Sequence, residues 1–324
     1  MKNIVIIGGG TGTFTLLSGL RKYPSNNTVI VSSADDGGST GVLRKDLGVM
    51  PPGDIRQCLV GLSYTQKELQ ELFNFRFDSG SLKGHSAGNI IIAALEKITG
   101  GIEPAIELAS KLLNVRGQVL PVTLTPTVLS AELNNGKKLI GEHNIDDQDP
   151  KGKASPIKNL KLSAAKVNPR ILKELAQAHA IVFGPGDLYT SILPNILVKG
   201  MKEAINKSKA KKILITNIMT KFGQTDGFKA SDFVKVLQTY LSGSLDYALV
   251  NKEKPPVKQL TRYSKEKAVF VEPDIKTIEK IGAKPVVENL LSQNIFTKAS
   301  SDSVPRSFLR HDSDKLAKLI WDLT

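Results

Sequence analysis

Ile4-Val5-Ile6-Ile7-Gly8-Gly9-Gly10-Thr11-Gly12-Thr13 is the stretch that decides the fold. Four consecutive β-branched apolar residues suit a strand buried on both faces, the habit of parallel sheets. A glycine turn ends the strand, and from Thr13 to Tyr23 apolar residues recur at helical spacing. Bare backbone N–H groups thus meet the positive end of a helix, a cradle suited to phosphate. The spacing departs from the dinucleotide fingerprint, because Gly8-x-Gly10-x-x-Thr13 has threonine where a third glycine belongs, and no P-loop Gly-Lys-Ser/Thr follows. Ordinary NAD binding and NTP hydrolysis both lose weight.

Outward from this unit the same alternation continues. Strand-like runs at Ile4 to Ile7, Val29 to Ser32, Ile181 to Phe183, Ile213 to Thr216 and Tyr247 to Val250 are separated by amphipathic stretches such as Gln66 to Phe75, Ala87 to Ile98, Pro104 to Leu113, Pro169 to Ala178, Ser231 to Leu241 and Asp314 to Leu323. The pattern predicts an α/β fold, doubly wound, with a mostly parallel Rossmann-like sheet, in one domain spanning 1–324. Helical periodicity fails between 118 and 166, where Ala131 to Ile140 has the pattern of a hairpin on Asn135-Gly136. This segment is predicted as a small β-rich insertion, with a mobile loop from Asp146 to Lys153.

With 324 residues, 40% of them hydrophobic, the chain can bury a large core. Its one cysteine, Cys58, excludes a disulfide framework and points to a reducing compartment, the cytoplasm. No apolar run approaches membrane-spanning length, so neither export nor membrane insertion is expected. The net charge of +13 raises nucleic acid as a partner, but the lysines are scattered, aromatics make up only 6%, and no nucleic-acid motif is present. A basic surface that also favours small anionic ligands is the expectation.

A second glycine loop, Ala34-Asp35-Asp36-Gly37-Gly38-Ser39-Thr40-Gly41, follows the second strand and should stand beside the first. There one of Asp35 and Asp36 can accept from a ribose or base, while the other can hold Mg²⁺ or act as a base, with Asp36 the candidate metal site; Ser39 can wrap the ligand. Helix capping by Asp36 or Ser39 is the plainer alternative. Pro51-Pro52-Gly53-Asp54-Ile55-Arg56 reads as a turn into a helix with Asp54 at its N-cap and Arg56 facing an anion. Gly84-His85-Ser86-Ala87-Gly88-Asn89 heads an apolar helix, giving His85 and Asn89 as contacts or His85 as a packing residue. The strand ends at Gly184-Pro185-Gly186-Asp187 with Thr190 and Ser191, at Thr216-Asn217 and at Val250-Asn251 should line the same crevice, unless turn and cap chemistry accounts for Asp187 and Ser191. There is no nucleophile elbow and no histidine clustering for a transition metal.

Taken in order, Ile-Gly-Gly-Gly-Thr-Gly (7 to 12), Ala-Asp-Asp-Gly-Gly-Ser-Thr-Gly (34 to 41), Pro-Pro-Gly-Asp-Ile-Arg (51 to 56), Gly-His-Ser-Ala-Gly-Asn (84 to 89), Gly-Pro-Gly-Asp-Leu-Tyr-Thr-Ser-Ile (184 to 192) and Arg-His-Asp (310 to 312) resemble the YvcK family of gluconeogenesis factors, related to the 2-phospho-L-lactate transferases (CofD). The resemblance covers nearly the whole chain. It implies a bacterial cytoplasmic protein that binds UDP-sugars, UDP-N-acetylglucosamine in particular, requires no cofactor, and supports cell shape and wall synthesis during gluconeogenic growth. By the same resemblance Tyr263 and Arg310 match positions associated with nucleotide-sugar binding; they join the ligand contacts already read from the loops themselves, Gly9, Gly10, Thr11, Gly12 and Thr13 of the first and Gly184, Gly186 and Asp187 of the later one. Asp187 departs from the serine this branch often carries. Cell-wall synthesis proteins and a second copy of the chain are the partners it leaves open. The alternative is a CofD-like transferase moving a phospho-linked group from a nucleotide donor, for which Asp36, Asp54 and His85 are the candidate catalytic groups.

Overall fold

The computed structural model describes residues 1–148, 152, 155–294 and 308–324. Its strands are β1 (Lys2–Ile7), β2 (Ser25–Val31), β3 (Gln118–Pro121), β4 (Leu129–Leu133), β5 (Lys138–Ile140), β6 (Ile157–Leu162), β7 (Ala180–Phe183), β8 (Lys211–Ile215), β9 (Tyr247–Asn251) and β10 (Lys284–Glu288). Seven form one parallel sheet in the order β10-β9-β8-β7-β1-β2-β3, and the other three form an antiparallel sheet ordered β5-β4-β6.

Helix α1 (Gly10–Leu20) joins β1 to β2, and α2 (Gly38–Leu47), α3 (Pro52–Gly61), α4 (Lys67–Asn74), α5 (Ala87–Thr99) and α6 (Ile102–Leu112) fill the crossover to β3. The short α7 (Glu142–Asp146) follows β5, and α8 (Pro169–Gln177) leads into β7. A π-turn at Leu188–Ile192 then runs into α9 (Leu193–Ile196) and α10 (Met201–Lys207) before β8. Beyond it come α11 (Ala230–Leu241), α12 (Val257–Ser264), α13 (Ile275–Lys280) and the terminal α14 (Ser313–Leu323).

Alternate residues of β1 serve opposite cores because side chains alternate along a strand. Ile4 and Ile6 pack with Leu16, Leu17 and Leu20 of α1 and with Leu316 and Ile320 of α14. Val5 and Ile7 pack instead with Ile171 and Leu175 of α8 and Phe233 and Leu237 of α11. A strand buried on both faces can be apolar throughout, which is why the run from Ile4 to Ile7 reads so clearly.

The Asn-Gly hairpin forms as the sequence predicts: Gly136 has φ +83° and donates its N–H to Leu133 O at 2.9 Å, closing the turn between β4 and β5. The antiparallel unit begins at Leu129 rather than at 118, since β3 pairs with β2 in the main sheet and buries Val119 and Leu120 in its two cores. Two strands of the main sheet that the sequence does not announce, β3 and β10, are its short edge strands, each with two aliphatic residues beside a proline. The loop expected to be mobile, Asp146 to Lys153, lies in part outside the described residues, and its first member is held by Lys221 and Thr190. Among the described residues no helix is long and apolar enough to cross a membrane.

Candidate functional site

Strand order reverses at β1, with β2 and β3 on one side and β7 to β10 on the other. The carboxyl ends of β1 and β7 stand level, Ile7 opposite Phe183, and the Gly184 N–H donates to Ile7 O at 2.9 Å. The two loops part from this point and open a cleft of about 720 Å³, where α/β sheets of this kind bind ligands.

Gly9, Gly10, Thr11 and Gly12 line one end of it, and no side chain caps α1, whose positive end therefore addresses the cleft. Thr13 lies behind the loop, fully buried, donating its hydroxyl to Pro185 O at 3.3 Å. Asp54 is not an N-cap: Pro51 holds that place, and Asp54 stands in the first turn of α3 with its carboxylate against the glycine loop. A Cβ on Gly9 would come within 1.8 Å of Asp54 Oδ2, so glycine there is what lets the acid approach.

The second loop divides its acids. Asp35 lines the cleft and accepts from the Gly37 N–H at 3.0 Å, while Arg44 grips its carbonyl and that of Thr127. Asp36 is not among the lining residues: its carboxylate accepts the His143 N–H at 2.8 Å and so ties this loop to α7. Asp36, the candidate Mg²⁺ ligand, thus has one carboxylate oxygen engaged with α7 and lies outside the lining, and among the described residues no group of three or more His, Cys, Asp or Glu is gathered that could hold a metal. Nor do Asp36 and Ser39 cap α2, whose N-cap is Gly37. Ser39 lines the cleft, as does Asn89, whereas His85 stands outside that lining with Nδ1 3.1 Å from Ser39 Oγ.

From the β7 side come Gly186, Asp187, Thr190 and Ser191, and Asn217 follows from β8; Gly184 remains behind, and Asn251 is engaged with Leu290 and Glu253. Lys221, which the sequence did not single out, pairs with both Asp187, at 2.7 Å, and Asp146. Burial disfavours its charge, but the two carboxylates more than offset this and hold the ammonium above the usual lysine range. Burial would likewise raise Asp146, yet Lys221 wins and holds it low; at Asp187 burial prevails and raises it. Glu142 of α7 is pushed well above the usual carboxylate range by burial and then by Asp35 and Asp146. Asp35 is raised by burial too, against the Gly37 N–H and Thr40. Asp35, Glu142 and Asp187 thus hold protons more tightly than free carboxyls, while Asp146, beside the Lys221 ammonium, holds its proton less tightly. Nothing periodic marks Glu142 or Asp146, and Lys221 follows Asn217 by only four residues, a proximity that offered the one usable signal.

Tyr263 and Arg310 close the other end. Tyr263 is 3% exposed, and its hydroxyl accepts the N–H groups of Phe308 and Leu309 at 3.1 and 3.2 Å, holding the segment that carries Arg310. The acids nearest Arg310 in sequence are occupied elsewhere: Asp314 pairs with Lys22 at 2.6 Å, and Asp312 caps α14. Beside them His311 also lines the cleft, and burial pushes its pKa down to about 4, so the ring is neutral at physiological pH. Tyr263→Phe leaves two backbone donors without their acceptor, and a loss of about 1–2 kcal/mol in stability is expected, read by thermal denaturation. Unchanged stability would show that water replaces the hydroxyl without cost.

Comparison with known proteins places this chain in a family. The family model described as 2-phospho-L-lactate transferase CofD matches residues 4–291. A Thermotoga maritima protein is 43% identical, with 98% of each chain covered. The gluconeogenesis factor of Bacillus subtilis is 39% identical, covering 99% of this chain and 97% of its own length. A crystal structure of a UPF0052-family member from Bacillus halodurans superposes with a TM-score of 0.90 at 39% identity, covering 99% of both chains. Fold and relatives agree: the chain belongs to the CofD family, within its gluconeogenesis-factor (YvcK, UPF0052) group.

Proposed function

We propose that the cleft binds a nucleotide sugar, a UDP-sugar of the UDP-N-acetylglucosamine type, and that the protein is a cytoplasmic regulator of cell shape and wall synthesis during gluconeogenic growth. The supporting observation is the cleft's polarity. At one end stands the uncapped start of α1 with its glycines, suited to phosphate oxygens; at the other stand Arg310 and the ring of Tyr263, suited to a second phosphate and to uracil or sugar. The name of the Bacillus subtilis relative, a gluconeogenesis factor, agrees with a regulatory role.

The family model's own name favours a transferase as the second reading. Of the three groups such a reaction would recruit, only Asp54 lines the cleft; Asp36 is spent on α7 and His85 stands outside the lining. This dispersal speaks for binding without turnover, and no cofactor is assigned.

Titration calorimetry with UDP-N-acetylglucosamine, with and without Mg²⁺, tests the proposal. Binding in both conditions is expected, and Arg310→Ala should weaken it about tenfold or more, as loss of a hydrogen bond to a charged group does. Equal affinity in Arg310→Ala would remove that residue from the site. Steady release of UDP by the pure protein, lost in Asp54→Ala, would favour the transferase.

A further inference from the structure

A chain of hydrogen bonds runs along the cleft wall from Arg56 through Asn89 to Ser39 and on to His85, which stands behind the lining. Arg56, which can only donate, places Nε 2.9 Å from Asn89 Oδ1. That contact fixes the amide, so Asn89 Nδ2 is the donor that lies 3.4 Å from Ser39 Oγ. His85 Nδ1 stands 3.1 Å from the same oxygen. Arg56, Asn89 and Ser39 are 5%, 3% and 7% exposed and line the cleft.

A serine hydroxyl has one proton and two lone pairs. Asn89 fills one lone pair. If His85 Nδ1 were the acceptor, the Ser39 proton would turn into the wall and a lone pair would face the ligand, which an anionic oxygen repels. If Nδ1 carries hydrogen, both lone pairs are filled from the wall, and the proton has only the cleft to turn to. We infer that His85 is a positioning residue whose Nδ1–H donates to Ser39 Oγ and thereby directs the Ser39 hydroxyl at an anionic phosphate oxygen of the bound nucleotide. This rests on the proposal above that the cleft takes a phosphate-bearing ligand.

The probe is UDP-N-acetylglucosamine, with affinities measured by calorimetry on the full chain. Ser39→Ala should weaken binding about tenfold. At position 85 the decisive contrast is between asparagine, whose amide nitrogen can donate where Nδ1 stands, and aspartate, which only accepts. His85→Asp should lose about as much as Ser39→Ala, His85→Asn should recover affinity to within about threefold of the parent, and Ser39→Ala combined with His85→Asp should be no weaker than Ser39→Ala alone, because the two act as a unit. Should His85→Asp fail to fold by circular dichroism, His85→Leu takes its place with the same expectation. Equal affinities for the asparagine and aspartate variants, or a double variant markedly weaker than Ser39→Ala, would overturn the positioning role while leaving the ligand intact. Absence of binding by the parent protein would instead overturn the ligand class and this role with it.

Discussion

Lys221→Met is expected to lower stability at neutral pH by about 3 kcal/mol, the low end of the range for removing one partner of a buried ion pair, because the lysine keeps 26% of its side chain exposed. The loss is not the worth of an attraction alone. It is mainly the cost of leaving Asp146 and Asp187 facing each other without a cation. The pH dependence follows from the shifts. Asp146 is lowered in the folded protein, so its contribution is full above the unfolded carboxylate value of about 3.9 and disappears as pH falls through its folded value. Lys221 is raised, so its contribution is full below about pH 10.4 and disappears only as pH climbs past its folded value. The deficit of the variant, measured by urea denaturation, should therefore be flat from pH 6 to 9 and shrink on acidification, first as Asp187, whose pKa is raised, takes up its proton and then, below about pH 4, as Asp146 does. A deficit that persists undiminished into acid would mean that methionine packs badly there, and that charge is not the cause.

The glycine loops were legible because what they do is local. A strand, a bare turn and a helix start follow one another within ten residues, and the ends of parallel strands must share one edge of the sheet. The same logic drew Gly186, Thr190, Ser191 and Asn217 to the cleft, where the structure has them. It stopped where neighbours in sequence turn opposite ways. Asp35 and Asp36 are the same residue type in adjacent places, yet one enters the cleft and the other caps the backbone of α7, a choice made by where the antiparallel sheet docks. Glu142 and Asp146 reach the site on that docked unit, and no periodicity can foretell them. Tyr263 illustrates a subtler limit: resemblance marks the position, but only the packed structure reveals that its hydroxyl holds the backbone before Arg310. Edge strands escape detection for the opposite reason. β10, Lys284-Pro285-Val286-Val287-Glu288, is half-covered and paired on one side only, so its sequence is free to be polar.

Valine at Gly12 is expected to damage the fold as well as the ligand site, and contrast with Gly10 separates the two. The sequence suggests that any side chain at either glycine would fill space meant for phosphate. At Gly12 the obstacle is nearer: a Cβ would stand 2.4 Å from Pro185 O and 2.8 Å from its carbonyl carbon. These are backbone atoms of a loop anchored by the Gly184 N–H on Ile7 O, so they cannot swing aside as a flexible side chain would. Overpacking against such a neighbour costs about 3 kcal/mol or more, and a matching fall in thermal stability is expected. Gly10 differs in kind. It sits at φ +69°, where a side chain is strained, but the nearest atom to its Cβ would be Asp54 Oδ1 at 3.7 Å, ordinary contact. Gly10→Ala should thus cost only about 1–2 kcal/mol in stability while placing a methyl at the start of α1, where phosphate oxygens would approach. UDP-N-acetylglucosamine affinity should fall about tenfold or more in a protein that still melts cooperatively. Gly12→Val melting like the parent would refute the clash with Pro185, and parental affinity in Gly10→Ala would refute the phosphate cradle itself.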